Sequence, residues 1–200
     1  MSARDEILNA AVRLFGEAGF DAATTREIAE ISGVNKALIH YHFKSKEALF
    51  GSVIEKYYSR LNGALMRALE REGTLKDRMA RLIDAYVDFL SSNLDFTRIV
   101  QRESAGGRHG ELIRGHLDPM FRAGTALIQE AYPGTRSGDL AAHQLLISFA
   151  GMISSWFTYS DTIEQLLGKD PLSEEELEER KRHLRRMLDV VEKTVREETT

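Results

Sequence analysis

Between Thr24 and Phe43 the chain starts a helix, breaks it within one tight turn and starts another. Ala29 is small where the two helices must approach closely. Four residues on, Gly33 takes the turn, where a positive φ is expected and a Cβ would cost about 1 kcal/mol. Six further on, Ile39 is the buried residue of the second helix. Small, glycine, aliphatic in that order is the packing logic of a helix-turn-helix. It commits the N-terminal end of the chain to short packed helices.

The same periodicity runs through the rest. Segment 3–18 places Ile7, Leu8, Ala11, Leu14, Phe15 and Ala18 on one stripe closed by Gly19, with Ser2 and Asp5 as a capping pair. Thr24 and Glu27 have capping-box spacing and open the next helix, in which Ile28, Ala29 and Ile31 are expected inward. A short helix follows at about 35–42. Ser45 then opens another, carrying Leu49, Phe50, Val53, Ile54, Tyr57 and Leu61. From Gly73-Thr74 a face of Leu75, Met79, Leu82, Ile83, Tyr86, Phe89 and Leu90 repeats. The stretch around 107–132 is helical in pattern, with glycines and Pro119 expected to interrupt it. Segment 139–160 is apolar almost all round, which predicts burial on more than one side. Segment 173–198 opens on a Ser173/Glu176 capping box and repeats Leu177, Leu184, Leu188, Val191 and Val195 at near-heptad steps. No segment alternates as a strand does, and there are only 3 prolines. The fold class is all-α.

Composition narrows the function. With 42% hydrophobic and 29% charged residues, the chain can bury a core. A net charge of −4 rules out a uniformly basic nucleic-acid coat, so any DNA contact must come from a local patch. The absence of cysteine removes disulfides and thiolate metal sites. No signal-like N-terminus or long apolar run is present, and a cytoplasmic location is expected.

The local patch lies in 33–49, GVNKALIHYHFKSKEAL. His40 and His42 are two apart on a helix, so they point to opposite sides and do not share a metal. With Ile39 and Phe43 inward, Asn35, Lys36, His40 and Tyr41 turn outward. Asn and Lys can meet base edges or phosphate, and Tyr41 and His42 can donate to phosphate oxygens. Lys46 lies in the first turn of the next helix, where free N–H groups already attract an anion, and Thr25 offers a similar contact.

The run TTREIAEISGVNKALIHYHFKSKEAL resembles the N-terminal signature of the TetR (tetracycline-repressor) family of bacterial transcriptional regulators, over roughly residues 5–50. The resemblance implies DNA contacts at Thr25, Arg26, Asn35, Lys36, Ala37, His40, Tyr41, His42 and Lys46. The chain departs from the family's usual serine at Asn35, glycine at Ala37 and tyrosine at His40. The resemblance further implies a helix-turn-helix DNA-binding domain over residues 1–50. Residues 51–200 would form a helical domain that binds a ligand and dimerises. Segments 139–160 and 173–198 suit a four-helix interface made by two subunits, with Leu146, Ala150, Ile153, Leu184, Leu188 and Val191 as interface candidates. Candidate ligand-binding residues are Phe89, Phe96, Arg102, Met120, Phe121, Trp156 and Phe157, which combine apolar walls with a cation. Arg102 and Glu103, just before Gly106-Gly107, either orient a ligand or pair on a solvated face.

No HExxH pair, phosphate-binding glycine loop or nucleophile elbow occurs, so no enzyme, cofactor or metal is expected. The expected protein is a homodimeric transcriptional regulator, a repressor released from operator DNA by a small molecule. The rival is a helical protein-interaction or small-molecule-binding module without sequence-specific DNA binding. Salt-dependent binding to random duplex DNA separates the two.

Overall fold

The computed structural model describes residues 2–199, so the outer limits of the two expected domains, residues 1 and 200, lie outside it. Among the described residues there are ten α-helices, one 3-10 turn and no strand. The chain divides into two compact units, Met1–Arg60 with Asn93–Gly115, and Leu61–Ser92 with His116–Thr200. Residue 50, the boundary expected from the sequence, lies within α4, and the first break between the compact units falls further along the same helix.

The first unit holds α1 (Ala3–Ala18), α2 (Thr25–Ser32), α3 (Lys36–Phe43), the first part of α4 (Lys46–Glu70) and α6 (Leu94–Ser104). Its core is the apolar stripe of α1 against Leu49, Phe50, Val53 and Ile54 of α4, all buried. Phe15, Phe20 and Phe50 meet with ring centroids 5.2–5.8 Å apart. Such offset and edge contacts add about 0.5–1.5 kcal/mol per pair beyond area burial. Helix α6 closes the unit by lying on α1. Gly16 allows this, because a Cβ there would stand 2.9 Å from both Cβ and the carbonyl oxygen of Asp95.

The sequence left α6 unassigned, and it changes the meaning of two residues. Phe96 stacks on Tyr57 at 4.7 Å and meets Tyr58 edge-on at 5.5 Å, so it is core in this unit and not ligand wall. Arg102 donates from Nη1 to the Phe15 carbonyl (3.2 Å), a second donor at the end of α1 to an oxygen that already accepts the Gly19 N–H (3.0 Å). Its guanidinium serves as a partner for a helix end. Glu103, buried, accepts from the His109 backbone N–H (2.8 Å) and lies 3.2 Å from His109 Nδ1. The His109 ring packs 4.4 Å from both Phe20 and Phe50. Arg102 is exposed while Glu103 is buried, so the two do not share one solvated face.

The second unit contains the end of α4, α5 (Leu75–Ser91), most of α7 (Gly110–Ala131), the 3-10 turn Pro133–Arg136, α8 (Ala142–Thr158), α9 (Ser160–Leu167) and α10 (Glu174–Thr199). Helices α5 and α10 run antiparallel, tied by Lys76–Asp189 (2.9 Å), Arg185–Asp84 (2.6 Å) and Lys181–Asp88 (2.5 Å). Arg81 donates to the carbonyls of Ala68 (2.9 Å) and Arg71 (2.6 Å), finishing the C-terminal end of α4. Helix α7 continues through Pro119 instead of breaking there. Pro119 and Gly115 are both exposed, so the carbonyl that lacks an N–H partner meets water.

Three other expectations shift. Ile31 is 44% exposed, because α2 ends one residue later and the last turn projects past its neighbours. At Ser173 only half of the capping box forms. Glu176 N–H donates to Ser173 Oγ (3.4 Å), while the Glu176 carboxylate takes Lys169 Nζ at 2.8 Å. In α8 only Ala142, Ile153 and Phe157 are buried, and Ile147 is 56% exposed. The all-round apolar character is therefore not used up within the chain.

Candidate nucleic-acid interface

The helix pair α2–α3 is built as the spacing predicts. Thr24 and Glu27 complete a reciprocal capping box. Thr24 N–H donates to the Glu27 carboxylate (2.9 Å) and Glu27 N–H to Thr24 Oγ1 (3.2 Å). Gly33 sits at φ 69°, ψ 13°, the left-handed conformation the turn requires. Ala29, Ile39 and Phe43 are buried.

Asn35 precedes α3 instead of lying in it. Its Oδ1 accepts the Ala37 N–H at 2.9 Å, so the oxygen caps the helix and the amide NH₂ is the group left to face outward. Lys36, Ala37, His40 and Tyr41 are exposed, Tyr41 at 69%. His42 is half-buried with its ring edge-on to Tyr41 at 5.1 Å. Arg26 is exposed and forms an i,i+4 pair with Glu30 at 3.0 Å, a contact a phosphate can replace at little cost.

Thr25, Lys36, Ala37, Ile39, His40, Lys44, Ser45 and Lys46 line an open cleft of about 520 Å3. From Ile31 to Lys46 no acidic residue occurs, while Lys36, Lys44 and Lys46 do. That is the local positive patch an otherwise acidic chain needs in order to meet a polyanion.

Three residues of the cleft, the buried Ile39 and the exposed Lys44 and Ser45, are absent from the set of DNA contacts read off the sequence. Lys44 takes φ 66°, ψ −46° and Ser45 N–H donates to the Phe43 carbonyl (2.8 Å), a strained γ-turn joining α3 to α4. Lys44 Nζ bonds back to the Tyr41 carbonyl at 3.0 Å. Ser45 Oγ accepts from Ala48 N–H at 3.1 Å. The signal was present: Ser45 is a capping residue in a two-residue link, and its hydroxyl must stand at the mouth of α4.

The remaining sequence candidates fall in the second unit. Phe89 and Phe157 are buried there, Met120 is half-buried and Phe121 exposed. Trp156 donates from Nε1 to the Pro171 carbonyl (2.9 Å), under the Arg180 guanidinium at 4.8 Å. Its polar edge is thus occupied in holding the loop after α9. Of the interface candidates, Leu184 is 0% exposed and Ile153 is buried, so neither has surface to offer a second copy. Leu146, Leu188 and Val191 are half-buried and Ala150 is exposed.

The family profile described as "Bacterial regulatory proteins, tetR family" matches residues 7–53. A second, "Tetracyclin repressor-like, C-terminal domain", matches residues 76–188, more than half of the chain. The chain belongs to the TetR family. It is a transcriptional regulator and not an enzyme.

Among curated relatives of this TetR-family chain, the HTH-type transcriptional repressor NicS of Pseudomonas putida is 36% identical over 139 residues, 62% of this chain and 63% of that protein. The probable HTH-type transcriptional regulator YttP of Bacillus subtilis is 30% identical over 52% of this chain and 51% of its own length. The matched region thus spans between half and two thirds of these relatives. The fold matches that of the regulator FadR from Bacillus subtilis, solved in complex with stearoyl-CoA, with a TM-score of 0.74 at 18% identity, over 92% of this chain and 96% of FadR. No described helix is long and apolar enough to cross a membrane.

Proposed function

We propose that the protein is a homodimeric, cytoplasmic repressor that reads operator DNA with α2 and α3 and is released by a small molecule bound among its C-terminal helices. The observation that carries the reading is the cleft at the start of α2, α3 and α4, where Thr25, Lys36, Ala37 and His40 meet and no carboxylate residue lines the wall. Lys36 and Thr25 contact phosphate. Tyr41, His40, His42 and the Asn35 amide reach base edges or backbone oxygens. Ala37, where the family usually has glycine, leaves less room for the α3 backbone to approach DNA closely.

Repression is favoured by the 36% identity to NicS, itself named a repressor. An effector site of apolar character, drawing on Phe89, Met120, Phe121, Trp156 and Phe157, suits a fold that holds stearoyl-CoA in FadR. The effector lowers DNA affinity only by binding the non-reading conformation better. Dimerisation uses the outer faces of α8 and α10. Exposed Ile147, Ala150, Gly151 and Val190, flanked by Leu146, Leu188 and Val191, form an apolar surface in need of a partner.

The test is binding of labelled mixed-sequence duplex at two salt concentrations. Steep weakening with salt is expected, and Lys36→Ala weakens binding and flattens that dependence. Salt-independent or absent binding favours the helical interaction module. Binding to DNA upstream of its own gene, then release in a ligand screen, tests the effector. Ile147→Glu should give a monomer in sedimentation; an unchanged dimer removes α8 from the interface.

A further inference from the structure

Lys46 is the first residue of α4, in the position where the family resemblance implies a phosphate contact. Its ammonium is already engaged. Nζ donates to the carbonyls of Phe20 (2.8 Å), Ala23 (2.9 Å) and Asp21 (3.4 Å), and stands 4.3 Å from the centroid of the Phe20 ring. An ammonium has three N–H donors, and this socket supplies three oxygens and an aromatic face. Those oxygens belong to the connection 19–23, between the end of α1 at Ala18 and the Thr24 cap of α2. Phe20 and Ala23 are themselves buried. Turning the ammonium toward a phosphate would leave the carbonyls of buried Phe20 and Ala23 without this donor in exchange for one solvent-screened contact, and that loss costs more than the contact returns. Lys36, exposed in the same cleft, has no ion pair among the described residues and is under no such constraint.

We infer that Lys46 is a positioning residue for DNA reading and not a phosphate contact: its ammonium pins the α1–α2 connection to the head of α4 and so sets where Thr25 and the rest of α2 stand beside α3. The inference rests on the DNA-reading role proposed above.

The two roles have different electrostatic signatures. Removing one lysine that neutralises a phosphate lowers the slope of log affinity against log salt by about 0.9. Lys46→Met keeps the stem and removes the donors, and Lys36→Met is the paired control. With the whole chain and a mixed-sequence duplex, Lys46→Met is expected to bind about tenfold more weakly because α2 is no longer held in its reading position, with its salt slope unchanged. Lys36→Met lowers the slope. A lowered slope for Lys46→Met makes the residue a phosphate contact and overturns the inference. Unchanged affinity in a folded Lys46→Met protein makes its role merely structural, and overturns it equally.

A second measurement uses the wild type and does not depend on the variant folding. Acetic anhydride labelling of the free chain should leave Lys46 unmodified while Lys36 reacts, and duplex should protect only Lys36. Lys46 labelled in the free chain and protected by DNA overturns the socket. A wild type without salt-dependent binding removes the DNA-reading role and this inference with it. Labelling of the free chain then still reports the socket separately.

Discussion

Gly16 and Gly33 are small for different reasons, and substitution separates them. At Gly16 the backbone is ordinary helix, but a methyl would press on the Asp95 backbone of α6 at 2.9–3.0 Å. Gly16→Ala is therefore expected to destabilise by about 1–3 kcal/mol through overpacking, read as a lower urea midpoint. At Gly33 nothing lies within 4 Å of a would-be Cβ, and only φ 69° opposes a side chain. Gly33→Ala should cost about 1–2 kcal/mol, and Gly33→Asn less, because asparagine tolerates the left-handed region. If Asn and Ala prove equally harmful, conformation is not the reason for the glycine. The turn at Gly33 was legible because sequence distance there equals spatial distance. Gly16 was not, since its constraint comes from a helix almost eighty positions away. Arg102 and Lys46 share that obscurity: a sequence shows a cation, but not which carbonyl ends face it.

Helix starts are the elements this sequence announces most openly, and they carry a pH dependence. In the Thr24–Glu27 and Thr74–Asp77 boxes the threonine hydroxyl donates to the carboxylate at 2.7 Å and the threonine backbone N–H at 2.9 Å. Both carboxyls are held below the usual range, first by the hydroxyl and then by the backbone bond. Their folded values lie below the unfolded ones. The stabilisation is therefore complete above the ordinary carboxylate range near about pH 4 and is lost as pH falls through the depressed values. Thermal unfolding between about pH 5 and about pH 3 should show this loss, and the Thr24→Ala, Thr74→Ala double variant should show a shallower fall in melting temperature across that window. An undiminished slope would place the acid sensitivity elsewhere. Where the caps were misread, a competing partner won: Glu176 turns from Ser173 to Lys169. Helix α9 carries Ile163, Leu166 and Leu167 at helical spacing but buries none of them, and at eight residues it is too short for that spacing to stand out from the helix before it.

For the molecule as a whole, the compact unit around α2 and α3 is not one continuous stretch of chain. The unit that carries α2 and α3 also needs residues 93–115, which supply Asp95 against Gly16, Arg102 at the end of α1, and His109 between Phe20 and Phe50. A fragment of residues 1–60 is expected to show no cooperative thermal transition by circular dichroism, because one side of α1 and the aromatic cluster would stand open to water. A cooperative melt like that of the whole chain would show that α6 is dispensable. Periodicity found the all-α class, but not this interleaving, which depends on packing that skips over an entire helix. The same interleaving limits how such regulators can be recombined. A chimaera that takes its DNA-reading end from this protein and its sensing end from another, joined at residue 50 or 60, would receive α1 without the helix that seals it. A working graft would transplant two separate pieces of the gene, or choose a recipient that offers an arginine on its own sixth helix and a histidine just after it in the same places.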